Sequence, residues 1–243
     1  MPISAVTSKI WLSLACALAL SAHAGEPPPP PPRLSAARTP EEAGLIDVRA
    51  RAPDIAEAIH YAGSDNFVGR PVDGYAAAKC YLRTAAAEAL ARVERSLRAQ
   101  GYGLLVWDCY RPARAVADFV RWAGDLSDTR TKAMHYPHLG KDQLLGEYIA
   151  PISGHSRGAT VDLTLMRCDG GQCTPLDMGT DFDFFDPRAH TDAPDIDAAQ
   201  RAHRQRLLGA MAAEGFVNYP QEWWHYTLPS AAEAGVIYDV PVK

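Results

Sequence analysis

An imidazole and a carboxylate seven residues apart, flanked by small residues that let backbone come close, are the first sign of chemistry in this chain. They lie in Ser153-Gly154-His155-Ser156-Arg157-Gly158-Ala159-Thr160-Val161-Asp162 and amount to half of a metal site. Gly154 and Gly158 supply the unusual dihedrals that a ligand-bearing loop needs. Asp162 instead opens Asp162-Leu163-Thr164-Leu165, where Val161, Leu163 and Leu165 alternate with Asp162 and Thr164 as on a half-buried strand. The pattern predicts a loop that aims one ligand and a strand that fixes the other.

A catalytic zinc takes three protein ligands of the His, Asp or Glu type and keeps one position for water, so a third group must come from elsewhere. Glu222-Trp223-Trp224-His225 offers it. Residues three apart share a side only on a helix or tight turn, and Pro220 just upstream favours a turn. One of the pair would bind metal while the other, unbound, takes a proton from water. Each piece alone has a plainer explanation, a loop histidine or a satisfied interior polar group; the combination carries the inference.

That combination, Ser-x-His-x-x-Gly-x-x-x-Asp followed about sixty residues later by Glu-x-x-His, resembles the zinc D-Ala-D-Ala dipeptidases of the vancomycin-resistance type, within the wider group of zinc D,D-peptidases. The likeness continues through Ser64-Asp65-Asn66-Phe67, Pro71-Val72-Asp73-Gly74-Tyr75, Trp107-Asp108-Cys109-Tyr110-Arg111-Pro112 and Phe182-Asp183-Phe184, and covers roughly residues 45 to 240. It implies one zinc ion per chain, held by His155, Asp162 and His225, with Glu222 as the general base that later returns its proton to the departing amine. Arg111 is the candidate for the oxyanion, because a guanidinium stays charged and presents a fixed fork of donors; a plain surface arginine after a strand is the alternative. The resemblance sets Asp183 against the substrate's free amino end, a choice over Asp181 and Asp186 that composition does not make. Ser153 is read as a donor lining the cleft or as a loop cap. Trp223, Trp224 and Tyr226 are read as core. His135 and His138 are not read as a second metal site, since Pro137 between them opposes a continuous helix, and His60, His190 and His203 stand alone.

The 243 residues, 47% of them hydrophobic, suit one sizeable domain. Lys9, the apolar run Ile10 to Leu20 and Ala22-His23-Ala24 read as a secretory signal over residues 1 to 24, followed by a Pro-rich flexible linker over 25 to 44 and a zinc dipeptidase domain over 45 to 243. Cys16 fits a lipoprotein site poorly. Loss of residues 1 to 24 removes one of 24 basic and none of 29 acidic residues, so the charge becomes 23 − 29 = −6 and nucleic acid is an unsuited partner. No later apolar run is long enough to cross a membrane. The four remaining cysteines suit an oxidising compartment: Cys168 and Cys173 flank a hairpin tip, which leaves Cys80 and Cys109 to pair.

Elements able to position these groups follow from periodicity. A first strand is expected at Leu45 to Arg49, a long functional loop at Tyr61 to Tyr75 and a helix from about Thr84 to Gln100 with Ala86, Leu90, Val93 and Leu97 on one stripe. A buried strand at Leu104 to Trp107, a second helix at Arg114 to Trp122 and a polar surface excursion at Ser127 to Gly146 come next. A hairpin over Asp162 to Asp177 and a last helix over Asp195 to Glu214 complete an α+β domain, its sheet mainly antiparallel and flanked by helices. The implied activity is hydrolysis of D-alanyl-D-alanine, a small D,D-dipeptide, to two D-alanines by an exported, periplasmic or secreted enzyme of cell-wall peptide turnover or salvage. A peptidoglycan D,D- or L,D-carboxypeptidase or endopeptidase shares the constellation; a non-catalytic cell-wall-binding module would be expected to lack Glu222 or Arg111.

Overall fold

Ala86, Leu90, Val93 and Leu97 are each 1% exposed or less, so the apolar stripe that the sequence places on a helix is the face that meets the sheet. The computed structural model describes Met1 and residues 30–243; the expected signal segment lies outside the described residues. In chain order the elements are β1 (Arg33–Leu34), β2 (Leu45–Asp47), β3 (Ala56–Glu57), β4 (Tyr81–Arg83), α1 (Thr84–Arg98), β5 (Tyr102–Asp108), α2 (Ala113–Gly124), α3 (Lys132–His135), β6 (Thr160–Asp169), β7 (Gln172–Pro175), α4 (Ala198–Ala213), β8 (Val217–Asn218), β9 (His225–Thr227) and β10 (Val236–Ile237). Residues 31–243 form one unit.

The main sheet has the order β3-β5-β6-β9-β8, with β7 pairing β6 beyond the site. It is mixed: β3 runs parallel to β5, whereas β5, β6, β7, β8 and β9 pair antiparallel. Two small sheets stand beside it, β2 with β4 antiparallel and β1 with β10 parallel. Helix α1 packs on β5 and α4 on β6. Strand β6 is buried on both faces from Thr160 to Met166, not on one as its alternation suggested, because helices cover one face and the loops of the site cover the other.

Three further expectations are corrected. Residues 33 to 44 do not lead into the body as a flexible spacer: β1 pairs with β10, and Ala43 is 1% exposed. The 127 to 146 stretch is not a surface excursion, since Tyr136 and Leu144 are fully buried and Lys141 folds inward to donate to the carbonyls of Asp125 and Asp128 at 2.7 and 2.8 Å. The last helix starts at Ala198 because Asp197 caps it, accepting from the Gln200 amide at 2.8 Å while the Gln200 side chain accepts from the Asp197 amide.

Both cysteine pairs are bridged, Cys80–Cys109 and Cys168–Cys173. The second closes the β6–β7 tip, where Gly170 and Gly171 take positive φ values of 54° and 85° that a two-residue hairpin requires. Arg204, 1% exposed, clamps the loop after β7 by donating to the carbonyls of Met178, Arg188 and His190 at 2.7, 3.1 and 2.5 Å.

On β3, burial pushes the Glu57 carboxyl up from 4.5 to about 7, only partly offset by Arg49 at 3.7 Å. The unfolded chain therefore releases this proton first as pH rises. Stability falls across the window from about 4.5 to 7, and the full penalty stands above it. Glu57→Gln is expected to raise the melting temperature at about pH 8, by up to about 3 kcal/mol of stability, and to change little at about pH 4. Thermal unfolding of both proteins at the two pH values measures the difference; an equal effect at both would exclude ionisation as its cause.

Candidate active site

Two strand registers set three side chains in a row. Asp108 of β5 lies opposite Asp162 of β6, and Asp162 lies opposite His225 of β9, so the three share one face of the sheet. His155 arrives from the short helical turn Gly154–Arg157, which ends at Gly158 with φ 73°. A Cβ on Gly158 would meet Leu45 Cδ2 at 2.5 Å, so only glycine lets the turn feed β6 this closely. Glu222 and His225 sit on a turn, as the proline upstream suggested: the Glu222 amide donates to the Tyr219 carbonyl at 3.0 Å and the His225 amide to the Glu222 carbonyl at 3.2 Å.

His155 is buried, and its Nδ1 donates to the Cys109 carbonyl at 2.7 Å, which leaves Nε2 as a free lone pair. That nitrogen lies 3.2 Å from Asp162 Oδ2 and 3.3 Å from His225 Nδ1. Asp162 Oδ1 is buried without a hydrogen bond. His155, Asp162 and His225 each offer one ligand atom, all within 4.8 Å of one another, and together could hold a metal ion. The donor set fits one: lone pairs converge with too few protons to share, and the carboxylates of Asp108, Asp162 and Glu222 outnumber the single guanidinium among them. Burial opposes charge on His225, yet Asp162 and Glu222 outweigh it and raise the ring to about 10, so a proton stands here whenever a cation does not.

Arg111 answers the like charges of the row. Its Nε donates to Asp108 Oδ2 at 2.9 Å and its Nη2 lies 3.5 Å from Asp162 Oδ2. The guanidinium carbon sits 5.1 Å from the Tyr61 ring centre and 5.0 Å from that of Phe119, which fixes the plane of the fork. Tyr75 donates to the other Asp108 oxygen at 2.5 Å. Glu222 Oε2 is 3.2 Å from His225 Nδ1.

A cavity of about 240 Å³ opens over this row, lined among others by Tyr61, Arg111, Tyr148, Ile149, Asp183 and Glu222. Asp183 is the one non-glycine residue with positive φ, 54°, among the described residues. That conformation costs about 1–2 kcal/mol and persists because neighbours hold it. Tyr61 donates to Asp183 Oδ2 at 2.7 Å, His135 Nδ1 donates to the Asp183 carbonyl at 3.0 Å, and the Phe185 amide donates to the His135 carbonyl at 2.7 Å. Burial raises the Asp183 carboxyl well above the usual range, against the lowering effect of the Tyr61 hydroxyl. Ser153 Oγ accepts from the His155 amide at 3.2 Å and also lines the cavity, so the cap and the lining readings coexist.

Residues 41–243 match the Peptidase_M15 family model, described as D-ala-D-ala dipeptidase. The chain belongs to this family. D-alanyl-D-alanine dipeptidases similar to it include that of Streptomyces coelicolor, 46% identical over 183 residues, 75% of this chain and 90% of the relative. That of Enterococcus faecium is 42% identical over 184 residues, again 75% and 90%. That of Escherichia coli is 34% identical over 195 residues, 80% of this chain and 90% of the relative. The dipeptidase-family match spans every expected site residue, from Arg111 to His225.

Several groups that build this dipeptidase-family site had no assigned role in the sequence reading. Asp108 and Tyr75 lie in motifs that carry the resemblance and Tyr61 opens the long loop, but nothing local shows that they face one another across the fold. The Cys109 carbonyl has no side-chain signature at all. Tyr148 and Ile149 lie just past a stretch that composition made look external. His135, not read as a metal ligand, is structural: burial lowers its pKa and its ring holds the Asp183 backbone.

Proposed function

We propose that the chain is a zinc-dependent dipeptidase that hydrolyses D-alanyl-D-alanine to two D-alanines. The observation that carries this reading is the convergence of His155, Asp162 and His225 beside Glu222 and Arg111, in a cavity of about 240 Å³ that also holds a buried aspartate. Such a volume falls below the roughly 300–1,000 Å³ of clefts for drug-sized ligands and suits a free dipeptide better than a polymer strand. The names and high identity of the relatives support the same substrate.

In this reading His155, Asp162 and His225 hold one zinc ion per chain. When bound, zinc supplies a water of lowered pKa and a Lewis acid. Glu222 accepts the proton of the attacking water and delivers it to the departing amine. Arg111, charged throughout and packed against the Tyr61 and Phe119 rings, stabilises the negative oxygen of the tetrahedral transition state. Asp183 receives the substrate's ammonium; that charge brought beside it favours the carboxylate and offsets the burial that raises it. Ser153 keeps its hydroxyl proton free to donate into the cavity while its oxygen caps the turn. The two disulfides support an exported location, periplasmic or secreted, where turnover of wall peptides supplies the dipeptide. A signal over residues 1 to 24 belongs to this reading.

The test is release of D-alanine by the purified protein from a panel of D,D-, L,D- and L,L-dipeptides with free and blocked amino ends, alongside intact sacculi. D-alanyl-D-alanine with a free amine is expected to turn over and a chelator to abolish the activity. Asp183→Asn is expected to raise KM for the free dipeptide by about 10- to 100-fold, the loss of a buried ion pair. Release from sacculi in preference to the dipeptide would make the protein a peptidoglycan peptidase instead.

A further inference from the structure

We infer that the Cys80–Cys109 disulfide positions the metal centre, acting through the Cys109 carbonyl on His155; this rests on the reading of His155 as a metal ligand. Strand β5 ends at Asp108, and from Asp108 to Arg111 the chain delivers three groups to the site. The Asp108 carboxylate accepts from Arg111 at 2.9 Å, the Cys109 carbonyl accepts from His155 Nδ1 at 2.7 Å, and the Arg111 guanidinium faces the cavity. After Asp108 the chain leaves the sheet. The β5–β6 register shifts between Val106 and Asp108, the Tyr110 amide donates to the Tyr81 carbonyl at 2.9 Å, and the Arg111 amide reaches the His155 carbonyl only at 3.4 Å.

The disulfide adds a covalent restraint to these hydrogen bonds. It joins Cys109 to Cys80, with Cα atoms 5.2 Å apart and the two residues 1% and 0% exposed. Cys80 is itself fixed. Its carbonyl accepts from the Val48 amide at 2.9 Å, and it leads directly into β4, which pairs with β2 and runs on into α1. The bridge thus fastens the departing segment to the β4–α1 unit, whose inner face is buried. A histidine ligand is held in tautomer and orientation by whatever its other nitrogen binds, and loss of such a partner typically weakens metal affinity about 10- to 100-fold. A carbonyl displaced by about 1 Å no longer makes the short hydrogen bond that keeps Nε2 aimed.

The second disulfide is an internal control. Cys168–Cys173 lies six residues along β6 from Asp162, about 20 Å at strand rise, and Arg98 donates to its two sulfurs at 3.4 and 3.1 Å. Both double variants, Cys80→Ala/Cys109→Ala and Cys168→Ala/Cys173→Ala, are compared with the parent by zinc affinity in chelator competition well below the melting temperature, and by the visible spectrum of the cobalt-substituted protein. The first variant is expected to bind zinc about 10- to 100-fold more weakly with an altered cobalt spectrum, and the second to stay within about twofold of the parent. A bridge that only stabilises the fold lowers the melting temperature and leaves both readouts unmoved. A folded Cys80→Ala/Cys109→Ala protein with zinc affinity within about twofold of the parent therefore overturns the inference. If that variant does not fold, Cys80→Val/Cys109→Ala, which refills the sulfur volume, is read in the same way. A parent that binds no zinc overturns the metal reading as well, so the two failures are told apart by the parent alone.

Discussion

Glu222→Gln is expected to lower kcat on D-alanyl-D-alanine by about 10²- to 10⁴-fold while zinc content stays at that of the parent. Glutamine keeps the size of the side chain and its place on the turn after Pro220, but it accepts no proton. The Glu222 carboxylate lies 3.2 Å from His225 Nδ1, on the cavity side of the row. The substitution therefore removes the base without removing a proposed ligand. KM is expected to change little, because the proton moves only on the way to the transition state. His225→Ala is the contrasting variant, since it takes away one of the three convergent ligand atoms and is expected to lose zinc and activity together. Steady-state kinetics with metal analysis decides the matter: a Glu222→Gln protein with parental kcat would remove Glu222 from the chemistry.

Arg111→Lys is the second large effect, expected at about 10²- to 10³-fold in kcat. A lysine preserves the charge and loses the fork. In the parent that fork spans Asp108 at 2.9 Å and Asp162 at 3.5 Å, two carboxylates that the β5–β6 register sets opposite each other, while aromatic rings hold its plane. An ammonium satisfies one partner as a point charge and stands free to hydrate, so it is neither aimed at the oxyanion nor able to bridge both carboxylates. A stability loss on the order of 2–4 kcal/mol is expected alongside, because like charges in adjacent buried strands lose their common partner. Kinetics at a temperature where both proteins remain folded separates the two losses. An Arg111→Lys protein with kcat within about threefold of the parent would assign Arg111 to structure alone.

Periodicity made the local elements legible. The stripe of Ala86, Leu90, Val93 and Leu97 is the buried face of α1. The alternation around Asp162 marks β6, although its second face proved equally covered. The glycine-flanked His155 and the Glu-x-x-His run fall on the turns that their neighbours favour. Each is decided by dihedrals and hydrophobic spacing within about ten residues, which is information that the sequence itself holds. The bounds failed where distant contacts outweigh local composition. The polar 127 to 146 stretch folds inward because backbone carbonyls and the Trp122 ring receive Lys141, and residues 33 to 44 dock because β10 offers them an edge.

What the sequence by itself determined is the inventory: which side chains can ligate, accept a proton or hold charge, and on what kind of local element each one rides. Only the tertiary structure decided that Asp108, Asp162 and His225 stand in one row, that Arg111 lies between two of the carboxylates, and that a disulfide-tied carbonyl orients His155. The reason is the two-residue period of the strand. A slip of one residue in either register would turn a member of that row to the opposite face, and register is set by the summed burial of the whole sheet, which no short motif encodes.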